Sequence, residues 1–323
     1  CAHGRNLRPD RKSVVPGKCV DLGGRRIVTD GTGNHGLLVV EKRGANTGWV
    51  AAQLARPAGV AVRDIGFSGH KDRHALTTQA YSLPLPALFD VAQCLEWQGD
   101  GYAVRAAYRH GRKLRPGSHR ANRFEVRIRD LRGDRGAIEA SLAAIREHGV
   151  PNYFGPQRFG REGSNLRRAV AWAGGAAGPR DRSQRSFALS AARSYLFNAV
   201  LAARVARGDW NRLLPGEAVM LDGRRSFFIA EPADAALEAR RAAMDVHPSG
   251  PLPGRGASPA TGPARELEDS VVAPYADLAA LVASERIDHE RRSLRLPVRE
   301  FDWTFGDDDT LVLRFVLPRG TFA

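Results

Sequence analysis

The stretch TLVLRFVLP, residues 310 to 318, sets Leu311, Leu313, Phe315 and Leu317 on one side of a period-two pattern, so a β-strand is expected almost at the end of the chain. A strand needs partners for its backbone N–H and C=O groups, and the stretch before it reads as largely helical. The earlier strand patterns lie far upstream. A strand this late therefore suggests that the middle of the chain is an insertion and that Thr310 to Pro318 returns to the first sheet. With 323 residues and 43% apolar content, about two domains are expected.

The upstream patterns give the rest of a mixed α/β chain. GLLVVEK, from Gly36, is an apolar run of strand length, and NTGWVAAQLARPAG carries Val50 and Leu54 at helical spacing after the possible caps Asn46 and Thr47. VRDIGFSG and ALTTQAYSLP read as strands flanking a loop. RFEVRIRDL alternates cleanly, which predicts a half-buried strand with Phe124, Val126 and Ile128 on one face. RGAIEASLAAIREHG predicts a helix with Ile138, Leu142 and Ile145 on one stripe, stopped by Gly149 and Pro151. In the middle, LSAARSYLFNAVLAARVARG and DLAALVASERIDHERRSLR read as helices. Between them HPSGPLPGRGASPATGPAREL, from His247 to Leu267, is too dense in Pro and Gly for regular structure and is expected to be a loop or linker. The first dozen residues show no apolar periodicity, and little of the fold should depend on them.

The formal net charge is +14, from 49 basic and 35 acidic residues, so nucleic acid leads the expected partners. Only five of those cations are lysines, and an arginine bias of that size also arises from genome composition. The block PNYFGPQRFGREGSNLRRAVAWA interleaves Tyr153, Phe154 and Phe159 with Arg158, Arg161, Arg167 and Arg168. Such a mixture suits RNA backbone and base stacking, and equally an aromatic core under an arginine-rich solvated face. The three cysteines, Cys1, Cys19 and Cys94, are far apart and without histidine clusters, which predicts reduced thiols and no zinc. No apolar run reaches the roughly 18 to 20 residues of a bilayer span, and the first residues lack a signal-peptide core, so a soluble cytoplasmic protein is expected.

The loop between the two strands reads FSGHKDRHALTTQ, residues 67 to 79, with Asp72 between Lys71 and Arg73. By itself an acid between two cations is most often a surface ion pair. A carboxylate is nevertheless ionised at neutral pH, and nearby cations keep it so, which lets it act as nucleophile or base without a histidine. No second carboxylate, glycine-rich phosphate loop or nucleophile elbow accompanies it.

At these residues the chain resembles the tRNA pseudouridine synthase D family, TruD, whose signature is Gly-x-Lys-Asp-x-x-Ala-x-Thr-x-Gln. RKLRPGSHRANRFEVRIR, VPNYFGPQRFGREGSNL, RSFALSAARSYLFNAVLAARV, GEAVMLDG and LRFVLPRGTFA resemble further family blocks, in order, from about Gly33 to Ala323. The resemblance implies an α/β (α+β) pseudouridine synthase catalytic domain, with a mixed, mostly antiparallel sheet, interrupted by a TruD-specific insertion. The parts expected are residues 1–149 and 297–323 for the catalytic domain and 150–296 for the insertion. It implies isomerisation of uridine 13 of tRNA to pseudouridine, without metal or organic cofactor, and a monomer with no protein partner is expected. Residue by residue, Asp72 matches the catalytic aspartate, Asn122 and Phe124 the Asn-x-Phe pair beside it, and Phe322 an aromatic of the C-terminal block. Phe124 is then the stacking ring for a flipped uracil, Phe322 a second wall and Asn122 the orienting amide. Asp72 has three possible roles: attack on C1′, attack on C6, or removal of the 2′ proton. Lys71 and Arg73 are expected to partner phosphate or Asp72, Gln79 to brace the loop, and Arg193 and Asn198 to serve mostly the structure of the insertion.

The chain departs from the family pattern twice. Against Lys-x-x-Pro-x-Asp-Phe-x-Val it has SVVPGKCVD, with Ser13 for the lysine and Cys19 for the phenylalanine, so Lys12 or Lys18 would have to supply the missing cation. It also ends at GTFA where family members continue in a short helical tail, and activity is expected to fall if that tail closes the site. The altered N-terminal strand sustains an alternative, a tRNA-binding protein of the same fold with weak or no catalysis, acting like an RNA chaperone. A basic DNA-binding module fares worse, since no groove-reading helix is recognisable.

Overall fold

The computed structural model describes residues 19–21, 26–28, 33–230, 234–307, 309–318 and 320–321. The expectations for Ser13, Lys12, Lys18, Cys1 and Phe322 lie outside the described residues. Two compact units divide the chain, Cys1–Phe124 and Glu125–Ala323.

In the first unit β1 (Cys19–Asp21) and β2 (Arg26–Val28) form a small antiparallel ladder. Then come β3 (His35–Lys42), α1 (Thr47–Ala58), β4 (Gly66–Phe67), β5 (Thr77–Pro84), β6 (Gln98–Gly99) and β7 (Tyr102–His110). These strands make an antiparallel sheet in the order β4-β5-β3-β7-β6. The central place of β3 explains its unbroken apolar run, because both faces are covered. Leu38 and Val40 pack with Val50 and Leu54 of α1, whereas Leu37 meets Ala80 and Leu114 on the other side. Each leucine buried in this way contributes about 1.5–3 kcal/mol. Gly59, at φ 65°, ends α1 in the left-handed conformation that glycine adopts without a Cβ clash. Asn46 makes no capping bond at the other end. The register pairs Val40 with Gln79 and Lys42 with Thr77, which sets Lys42 level with the loop that enters β5.

Strand β8 (Ala121–Ile128) carries the last residues of the first unit, to Phe124, and the first of the second, from Glu125. The second unit continues through α2 (Arg135–His148), β9 (Val150–Pro151), α3 (Ser164–Ala173), α4 (Arg182–Ala206), β10 (Ala218–Leu221), β11 (Phe227–Ile229) and α5 (Ala235–Ala242). After these come β12 (Val246–His247), β13 (Ser249–Leu252), α6 (Gly262–Val272), α7 (Ala276–Ser284), β14 (Glu290–Ser293), β15 (Arg295–Leu296), β16 (Arg299–Phe305) and β17 (Leu311–Pro318). The Asp134 side chain caps α2 by accepting from the Ala137 N–H at 2.7 Å. The predicted stripe of Ile138, Leu142 and Ile145 packs on Phe301, Phe305 and Leu311. Helix α4 is the spine of the helical part, with Leu189 and Leu196 toward Leu278 and Val282 of α7, and Phe197 and Leu201 toward Leu294.

The architecture is the expected mixed α/β with antiparallel sheets, and four local readings are corrected. The late strand β17 lies between β16 and β8, outside the five-stranded sheet. On β8, Val126 and Ile128 stay 39% and 37% exposed, because alternation assigns faces but among the described residues no layer covers this edge strand. The Pro/Gly-dense run contains β13, whose pairing with β14 from Ser249↔Ser293 to Leu252↔Glu290 holds its backbone, and the start of α6, where Pro263 occupies the first turn that tolerates a missing N–H. The stretch from Asp277 to Arg295 is helical only as far as Ser284 and then turns into β14. Among the described residues no helix is long and apolar enough to cross a membrane. Cys94 is a free, buried thiol, pushed up to about 12 by burial.

Candidate active site

Asp72 sits in the open loop between β4 and β5, and its carboxylate oxygen Oδ1 accepts one hydrogen bond, from the His74 N–H at 3.0 Å. This is a local turn that holds the side chain outward. Neither neighbouring cation reaches the carboxylate. Arg73 donates to the Gly44 carbonyl at 3.1 Å, and Lys71 turns to Asn122 Oδ1 in a short contact. Among the described residues no cation forms an ion pair with Asp72, which leaves its second oxygen open to a substrate.

The loop is held instead from beneath, through its backbone. Lys42, 1% exposed, donates from Nζ to the carbonyls of Ala45 at 2.9 Å, Asp72 at 2.8 Å and Lys71 at 3.3 Å. An ammonium carries three donors on one atom and can serve three converging carbonyls, a geometry the flat arginine fork does not match. Burial draws the Lys42 pKa below its ordinary value, partly offset by the negative charge of Asp72. The Lys71 pKa is lowered too, by burial and then by repulsion from Lys42.

Thr47 joins the same support. Its hydroxyl accepts from the Lys71 N–H at 3.0 Å and donates to Gln79 Oε1 at 3.1 Å, while Gln79 Nε2 donates to the Gly69 carbonyl at 3.1 Å. Gln79 thus braces the loop from the third residue of β5. The opening of the loop is tied to the segment preceding β8, where the Ser68 and Ser118 hydroxyls lie 2.8 Å apart and the Gly117 N–H donates to the Ser68 carbonyl at 2.6 Å.

The contact between Lys71 and Asn122 brings the Asp72 loop to β8. Because an ammonium only donates, the amide atom facing it must be the oxygen, and Nδ2 is then left as the donor available to a substrate carbonyl. Phe124 stands two residues on, on the same face of the strand, and is half-buried. The structure therefore gathers Asp72, Lys71, Asn122, Gln79 and, by strand alternation, Phe124 in one region of the first unit. Arg73 points to the backbone at Gly44, and Phe322 lies outside the described residues. Lys42 and Thr47 are the residues missed by reading the sequence. The only hint was a lysine, one of five in the chain, closing a strand with an apolar centre.

Elsewhere, Arg193 donates to the carbonyls of Leu252, Pro253 and Asp288, and Asn198 makes paired hydrogen bonds with the backbone of Phe154. Both serve the structure of their own unit.

The family model described as "tRNA pseudouridine synthase D (TruD)" matches residues 21–170 and 175–323. A tRNA pseudouridine synthase D of Nitrosococcus oceani is 46% identical over 294 residues, covering 91% of this chain and 82% of the relative. One of Azotobacter vinelandii is 47% identical over 297 residues, covering 92% and 84%. Among solved structures, a tRNA pseudouridine synthase D from Methanosarcina mazei superposes with a TM-score of 0.68 at 19% identity, over 90% of this chain and 86% of the other, a likeness of fold.

Proposed function

We propose, on the premise that the chain belongs to the tRNA pseudouridine synthase D family, that it isomerises uridine 13 of tRNA to pseudouridine with Asp72 as the catalytic carboxylate. The observation that carries this reading is the open Asp72 carboxylate on a loop held rigidly from below and hooked through Lys71 to the Asn122 and Phe124 strand. The reaction breaks the bond from C1′ to N1, turns the freed uracil, and forms a bond from C1′ to C5. The C5 proton leaves and N1 gains one, so no atom is added overall. The detached base has to be held without being lost to water, a task suited to an aromatic face and an amide clamp. Phe124 supplies the face, with Phe322 as the second wall, and Nδ2 of Asn122 meets a uracil carbonyl. The unengaged Asp72 oxygen suits attack on C1′, attack on C6 or removal of the 2′ proton alike.

The division into a catalytic part, 1–149 with 297–323, and an insertion, 150–296, belongs to the same reading. It is supported where the inserted segment begins and ends, because β9 and β15 pair there, with Leu296↔Val150 and Arg295↔Pro151. Gly149, at φ 73°, passes so close to this exit that a Cβ would lie 2.5 Å from the Leu296 carbonyl oxygen. We read the enzyme as a cytoplasmic monomer that uses no cofactor and takes tRNA as its partner.

Incubation of a transcript bearing U13 with the protein, followed by chemical mapping of pseudouridine, tests the proposal. Product from the wild type and a loss of at least about 10³-fold from Asp72→Ala are expected. Equal yield from the variant would overturn the role of Asp72. Tight, salt-sensitive tRNA binding with no isomer over hours would instead favour the RNA-binding alternative that the change at Ser13 suggests.

A further inference from the structure

A cationic cleft lies within the second unit, lined in part by Gly320 and Thr321. The Phe154 ring has the guanidinium of Arg292 4.1 Å from its centroid and that of Arg158 5.1 Å away. The ring is itself fixed, edge-on to Phe197 at 5.5 Å, and its backbone is gripped by Asn198. Arg292 donates to Asn152 Oδ1 at 2.6 Å, and Arg158 to the Ser190 hydroxyl at 3.0 Å. All of these partners are neutral.

That sets the pair apart from four other arginines of the unit. Nearby, Arg185 holds Glu285, Arg193 meets Glu290, Arg204 holds Glu217 and Arg291 holds Glu268. Among the described residues neither Arg158 nor Arg292 has a carboxylate at ion-pair distance. Two like charges share one ring, and the Arg292 pKa is drawn down to about 10 by burial and then by repulsion from Arg158. Cation–π contact offsets part of the cost of this arrangement, yet an anion is the missing complement. The two arginines line a cleft together with Tyr153 and Phe187. Those aromatic residues are 38% and 57% exposed, which leaves ring faces uncovered beside the cations.

We propose that this cleft holds one unstacked nucleotide of the tRNA, its phosphate on Arg158 and Arg292 and its base against Phe187. A free phosphate would satisfy the cations but leave the rings bare, and an apolar peptide would cover the rings but leave the charges unmatched. A single-stranded nucleotide answers both. The proposal rests on tRNA being the substrate, and it places an RNA contact in the second unit apart from the Asp72 loop in sequence.

Arg158→Gln and Phe187→Leu both change exposed side chains, so their unfolding midpoints should stay at the wild-type value. With a U13 transcript, Arg158→Gln should raise KM about tenfold while turnover at saturation holds, and it should lower the slope of log affinity against log salt by about 0.7–0.9, one phosphate contact. Phe187→Leu should raise KM by about fivefold or more with the salt slope unchanged. Wild-type KM and slope in both variants would overturn the site. If the wild type binds tRNA but forms no isomer, the proposed reaction fails while the salt slope in a binding titration still decides the cleft.

Discussion

Lys42 of the first unit and the pair Arg204 and Arg291 of the second are buried in opposite ways. Beside Asp72, Lys42 is buried among backbone carbonyls with no carboxylate hydrogen-bonded to it. In the second unit Arg204 reaches Glu217 at 2.9 Å and Arg291 reaches Glu268 at 2.7 Å, all four side chains buried, and Arg295 donates to His247, which is hydrogen-bonded in turn to Asp222. Cations of the second kind neutralise partners and hold elements together. A cation of the first kind shapes a loop and leaves the nearby carboxylate free. The net charge of +14 is therefore a poor measure of RNA affinity by itself, since arginines such as Arg204 and Arg291 are already engaged with acids, and the informative cations are those held at a loop or an aromatic ring without one.

Substitutions can break this contrast. The largest effect is expected at Asp72 itself. Asp72→Ala should abolish the reaction yet shift stability by no more than about 0.5 kcal/mol, because the side chain is exposed and makes one local hydrogen bond. A large drop in the unfolding midpoint would show the acid to be structural. Next, Arg291→Leu leaves the Glu268 carboxylate buried without a cation and with only the Ser258 hydroxyl at 2.8 Å, which should cost about 3–5 kcal/mol in chemical denaturation. A loss under 1 kcal/mol would mean that the ion pairs of the second unit are not what holds it.

Lys42 should give an intermediate result that separates geometry from charge. Lys42→Arg keeps the charge but not the three-donor geometry, so turnover should fall about 10- to 100-fold with KM little changed, and Lys42→Met should do no better. Full activity in the arginine variant would show that only the charge matters. The smallest effect concerns His289, held down to about 4 by burial and then by Arg291, Arg193 and Arg265. Since its folded pKa lies below the unfolded value, the unfolded chain takes up the proton first. Stability is then fully present above about pH 6.5 and lost as pH falls toward 4. His289→Gln should flatten that part of the stability curve relative to wild type, and identical curves would exclude His289 as a contributor.

Much of the molecule was legible beforehand because it depends on local pattern. The apolar run of β3, the stripe of α2 and the alternation of β17 each follow from side-chain period, and the Asp72 signature stands in a contiguous stretch. What was misread depended on partners distant in sequence. Ser249 to Leu252 is a strand only because β14 lies beside it, and Val126 and Ile128 carry a core-like pattern on a strand that no described layer covers.

By itself the sequence determined the family, the mixed α/β class and the position of the acid, since motifs and periodicity are properties of neighbouring residues. Only the tertiary structure decided which cations serve that acid. Lys71 and Arg73 flank Asp72 in the chain, yet their side chains turn to Asn122 and to Gly44, and the loop is shaped by Lys42, some thirty positions earlier in the chain. The physical reason is that a carbonyl's partner is set by the register between β3 and β5, which pairs residues far apart in sequence at a spacing no local pattern encodes.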